Sequence, residues 1–139
     1  MGDLTLTGSC LCGAVRYEIT GKTGQFWHCH CQRCRKATGT GHASNIIMHP
    51  ESVDWTAGND RLRYYKVPDA KRFATVFCST CGSLMPRVAQ DLSIAVIPAG
   101  TLDNDPGNLP QARIYQDSRA AWSCDTAELP SYETYPGEE

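Results

Sequence analysis

The 139-residue sequence has no apolar run long enough to cross a bilayer as a helix; its longest, around Ile94 to Ala99, falls far short of the ~20 residues that such a span needs. It has no surplus of positive charge either. Thirteen Lys and Arg stand against 15 Asp and Glu, a formal net charge of −2, whereas polyanion binding neutralises phosphates with a concentrated basic face. Nucleic acid is a poor expectation on that ground. The segment Met1-Gly2-Asp3-Leu4-Thr5-Leu6-Thr7 lacks the charged and apolar regions of an export signal, and Leu6 stands where a myristoylation signal needs Ser or Thr. The expectation is a cytoplasmic protein with no membrane partner. No convincing amphipathic segment of three helical turns is present, nor any internal linker or low-complexity stretch.

Cysteine, by contrast, is abundant, at eight residues. A chain of this length fits one domain and buries roughly two-thirds of its unfolded surface, so it needs no covalent staples merely to fold. In a reducing compartment clustered thiols are more often metal ligands or catalysts than disulfides.

Most of the apolar pattern alternates with period two, the signature of half-buried strands. In Ala14 to Thr20, residues Val15, Tyr17 and Ile19 share one face while Arg16, Glu18 and Thr20 share the other. Similar runs cover His42 to Met48, Leu62 to Val67, Arg72 to Phe77, Leu92 to Ile97 and Ala112 to Gln116. One short helix is expected from about Gln32 to Thr38, stopped by Gly39 and Gly41. Asp103 to Asn108 reads as turn, and the stretch from Glu128 to Glu139, with two prolines and four glutamates, as a flexible tail. The fold class is therefore all-β: one domain of small antiparallel sheets with one short helix.

Two cysteine pairs, Cys10-Leu11-Cys12-Gly13 and Cys78-Ser79-Thr80-Cys81-Gly82, interrupt that pattern far apart in sequence. Four thiolates at about 2.3 Å satisfy tetrahedral zinc, and they usually arrive as two pairs on tight turns. Gly13 and Gly82 follow each pair, where a positive φ lets the backbone curl around the sulfur. A closed Cys10/Cys12/Cys78/Cys81 set leaves no position for substrate, so its expected role is structural.

The trio in Cys29-His30-Cys31-Gln32-Arg33-Cys34 is different, since three protein ligands with an open fourth position are the formal signature of a catalytic zinc. Arg33, Arg35 and Lys36 lie close in sequence and are candidates either for an anionic substrate or for an ordinary solvated helix face. The trio also admits a second structural zinc completed by His28, His30, His42 or His49, and a redox centre of low-pKa thiols. Cys124, beside Trp122, has no assigned role.

Gly8-Ser9-Cys10-Leu11-Cys12-Gly13-Ala14-Val15-Arg16-Tyr17, Cys29 through Gly39 and Phe77-Cys78-Ser79-Thr80-Cys81-Gly82-Ser83 together resemble the glutathione-dependent formaldehyde-activating enzyme family, which also includes centromere protein V. The resemblance continues through Pro98-Ala99-Gly100-Thr101-Leu102-Asp103 and Arg113-Ile114-Tyr115 to Trp122 and Leu129-Pro130. It implies a zinc-stabilised β-tent over residues 1–139, with a structural zinc on Cys10, Cys12, Cys78 and Cys81. It further implies a second, labile and catalytic zinc on Cys29, Cys31 and Cys34, and carbon–sulfur lyase chemistry joining glutathione to formaldehyde as S-hydroxymethylglutathione. A small-molecule thiol would then be the partner, with Arg33, Arg35 and Lys36 facing its carboxylates. The competing expectations are a non-catalytic zinc-stabilised interaction module and a redox or metal-buffering protein.

Overall fold

The computed structural model describes residues 3–123 and 129–137. Nine strands occur among them: β1 (Leu4–Ser9), β2 (Arg16–Cys29), β3 (Ala43–Ala57), β4 (Leu62–Lys66), β5 (Ala74–Cys78), β6 (Leu84–Met85), β7 (Arg87–Val88), β8 (Ala95–Pro98) and β9 (Ala112–Ile114). A single α-helix, α1 (Gln32–Thr38), joins β2 to β3. The larger sheet runs β1-β2-β3-β8-β7, with β9 added alongside β2, and the smaller runs β4-β5-β6. All pairings between these strands are antiparallel except β2 with β9, a three-residue parallel match that sets Cys29 opposite Ile114.

The alternation read from Ala14 to Thr20 is realised. Val15, Tyr17 and Ile19 are almost wholly buried, while Arg16 and Glu18 face solvent. They join Leu6, Ile46, Met48, Ala95 and Ile97 in the main core. Complete burial of each large aliphatic side chain stabilises the fold by about 1.5–3 kcal/mol.

Strand β2 runs on to Cys29, well beyond the stretch in which the sequence alternates. Register shifts between Thr20 and Gly21 and between Thr23 and Phe26 break the period without ending the strand, as bulges do. Gly21 is needed at the first shift, because a Cβ there would lie 2.3 Å from the carbonyl oxygen of His49. Two of the expected strands are shortened by left-handed residues. Leu92, at φ 60°, turns the chain before β8, and Tyr115, at φ 56°, ends β9 at Ile114.

Along β3 and β8, Ile46, Met48, Ala95 and Ile97 enter the main core, while Asn45, Ile47, Val96 and Pro98 alternate with them on the opposite face. That second face carries Cys29 at its edge, through the pairing of Cys29 with Ala43. Phe73 and Ile114 pack against Cys29, Cys34 and Ala43 in a smaller cluster separate from the main core. No helix among the described residues is long and apolar enough to cross a membrane. Residues 129–137 are exposed, and Cys124 lies outside the described residues.

Candidate metal centres and the adjoining cleft

The turn after β1 and the turn after β5 bring Cys10, Cys12, Cys78 and Cys81 together, with all four sulfurs within 4.8 Å of one another. The separations of 3.6 Å for Cys10 to Cys12 and 3.9 Å for Cys12 to Cys78 bracket the ~3.8 Å expected between thiolates arranged tetrahedrally at metal-bond length. Gly13 and Gly82 sit at φ 78° and 79°, as the curl around each sulfur pair requires. The backbone N–H groups of Val15 and Thr80 donate to the sulfurs of Cys10 and Cys78, at 3.2 and 3.4 Å.

The Val15 N–H favours the Cys10 thiolate, and the four sulfurs compete for negative charge. The Ser83 hydroxyl and backbone N–H pull the Cys81 thiol down to about 5. Cys12, although the Ala14 backbone N–H favours its thiolate, is pushed up to about 11 by burial and by its three sulfur neighbours. Four sulfurs this close cannot all carry charge unless a cation sits among them. The donor set therefore fits a tetrahedral metal ion.

The second group forms where β2 runs into α1. Cys29 ends the strand, Cys31 is the helix N-cap, and Cys34 lies in the helix's first turn, placing the three sulfurs within 4.8 Å of one another. The helix spans the residues expected from sequence, and Gly39, at φ 71°, terminates it in the left-handed region. The backbone N–H of Cys34 donates to Cys31 Sγ at 3.3 Å. Burial opposes ionisation of Cys31, but that N–H and the neighbouring donors outweigh it and lower its pKa. Burial raises both Cys29 and Cys34.

Among the described residues, no histidine or carboxylate completes this trio. His28 and His42 instead stack on each other with ring centroids 4.0 Å apart, and His30 tilts against His42 at 5.1 Å. Burial and mutual repulsion lower the pKa of His28 and of His30. His49 is exposed and bonds through Nδ1 to the Ser93 carbonyl oxygen at 3.2 Å.

Beside the three sulfurs opens a cleft of about 480 Å³, with Trp27, Ile47, Phe73, Val96 and Ile114 among its walls. That volume lies within the range of small-molecule sites. Of the three cations near the trio in sequence, Arg33 lines this cleft and Lys36 lines an adjoining one with Arg33, Tyr65 and Phe73, whereas Arg35 lines neither. The structure adds Arg87, distant in sequence, which lines the main cleft and a second cavity of about 240 Å³ that also includes Cys34. No local motif marked Arg87. Its position follows from the pairing of β7 with β8, opposite Val96.

A model of the glutathione-dependent formaldehyde-activating enzyme family matches residues 5–118 of the chain. A crystal structure of a Rhodobacter sphaeroides protein is similar at 22% identity, covering 77% of this chain and 97% of that one, with a TM-score of 0.57. That likeness is one of fold. No curated protein matches the sequence.

Proposed function

The chain belongs to the glutathione-dependent formaldehyde-activating enzyme family, and from that premise we propose that it is a zinc-dependent carbon–sulfur lyase forming or cleaving a small thiol–aldehyde adduct such as S-hydroxymethylglutathione. The observation that carries the reading is the placement of the trio. Cys29, Cys31 and Cys34 form a three-sulfur set at the wall of a cleft large enough for a small ligand, while the four-sulfur set stands apart from that cleft.

On this reading Cys10, Cys12, Cys78 and Cys81 hold a structural zinc, and Cys29, Cys31 and Cys34 hold a second ion. When bound there, zinc favours the thiolate form of a coordinated sulfur and polarises a carbonyl oxygen as a Lewis acid. The protein's own contribution is positional. Phe73 and Ile114 pack against Cys29, Cys34 and Ala43, and Ile47 and Val96 offer an apolar wall to a ligand beside the sulfurs. Fixing both reactants in one cleft replaces a bimolecular encounter with an oriented one.

The bond changes balance without an oxidant or reductant. A sulfur lone pair forms the C–S bond, the carbonyl π pair moves to oxygen, and the proton lost by the thiol ends on that oxygen. Cleavage is the reverse.

Following adduct formation by NMR with formaldehyde, glutathione and zinc-loaded protein tests the reading. Acceleration over the uncatalysed reaction, lost in Cys31→Ala, is the expected result. A rate equal to the background contradicts the glutathione assignment.

A further inference from the structure

Arg87 stands in a cross-strand row with Val96 and Ile47, on the face of the larger sheet that forms the cleft. It is half-buried, and it borders both cavities that flank Cys34. A guanidinium presents five N–H donors in a planar fork and stays charged in any protein environment. Among the described residues, its hydrogen-bond acceptor is the Arg72 carbonyl oxygen at 3.3 Å, and no carboxylate pairs with it. The charged or titratable groups around it are Tyr64, Cys34 and the like charge of Arg72. A half-buried cation with no carboxylate partner is incompletely offset, and a bidentate anion in the cleft would match the geometry of the fork. Arg33 and Lys36 are exposed and already solvated, so they gain far less from an anion.

We propose that Arg87 anchors a carboxylate of the substrate, so that the site selects thiols bearing a carboxylate over neutral thiols of similar size. The inference rests on the thiol–aldehyde reading above and narrows its substrate class. The anchored carboxylate lies at Arg87 and the sulfur at the cysteine trio, both of which line the same cleft. Arg87 is a positioning residue in this account; no proton or bond to carbon passes through it.

The test compares 3-mercaptopropionate with 2-mercaptoethanol on the zinc-loaded full chain, by equilibrium binding and by the rate of adduct formation with formaldehyde. The wild type should hold the carboxylate thiol at least about tenfold more tightly, the scale of a charge-assisted hydrogen-bonded pair. In Arg87→Gln that preference should fall to near unity through KM, with kcat, zinc content and melting temperature kept, and Arg87→Lys should restore part of it. A wild type without preference, or an Arg87→Gln variant that retains it, overturns the proposal. If Arg87→Gln does not fold, Arg87→Lys decides: one ammonium cannot reproduce the two-point fork, so the preference drops at least about threefold if the proposal holds and stays unchanged if it does not. Selective binding without acceleration counts against the lyase reading alone, and acceleration without selectivity counts against Arg87 alone.

Discussion

The backbone N–H of Cys34 donates to the sulfur of Cys31 at 3.3 Å, so one member of the three-sulfur group caps the helix that carries another. Helix geometry and the spacing of the sulfurs are thereby coupled. Serine is a strong N-cap, whereas alanine leaves the first-turn N–H without a side-chain partner, at about 1 kcal/mol.

Two substitutions at this position should therefore separate. Cys31→Ser is expected to lose the second metal while keeping the helix and most of the fold. Cys31→Ala should lose the metal and a further ~1 kcal/mol of stability. Metal analysis with thermal melts of both variants checks this, and equal melting temperatures would show that the cap contributes nothing.

The closed four-sulfur set should behave differently, because it ties the turn after β1 to the turn after β5 across about half the chain. Metal binding at a structural site contributes directly to folding free energy, on a scale comparable to the whole stability of a domain. Cys10→Ser should lower the melting temperature by more than about 10 °C and release one metal ion. Full metal content with an unchanged melt would contradict the assignment.

Alkaline stability should report on Tyr17. Burial raises its phenol to about 12, with the Thr101 hydroxyl pulling the other way and the Asp103 charge adding to the rise. The folded pKa lies above the unfolded value of 10, so the contribution is complete below pH 10 and lost as pH rises from 10 towards 12. The loss should reach about 3 kcal/mol. Denaturant melts from pH 9 to 12 measure it, and Tyr17→Phe should flatten that dependence.

Arg33 lines the cleft but is exposed. Replacing it with glutamine should change the KM for a carboxylate thiol by less than about threefold, the scale of an exposed charge contact. A loss as large as that from Arg87→Gln would reassign the anion-binding role.

Both cysteine groups, α1 and the face shared by Val15, Tyr17 and Ile19 were legible in the sequence, because short-range spacing encodes tight turns, caps and two-residue alternation. The extension of β2 from Thr20 to Cys29 was not, since the bulges near Gly21 and Thr23 reset its period. The left-handed conformations of Leu92 and Tyr115 hid the true limits of β8 and β9, because neither residue type signals that conformation. Arg87 reaches the cleft only through β7–β8 pairing, and nothing within a few residues of it announces that long-range contact. The nearby cations Arg33, Arg35 and Lys36 looked equivalent in sequence, yet the helix turns Arg35 away from the clefts that Arg33 and Lys36 border.

The account rests on two metal sites of unequal kind, and elemental analysis of the purified protein beside its Cys31→Ala variant tests that claim most directly. It predicts about two zinc ions per chain in the wild type and about one in the variant, with the fold retained. A wild type holding about one, or a variant still holding about two, would contradict it.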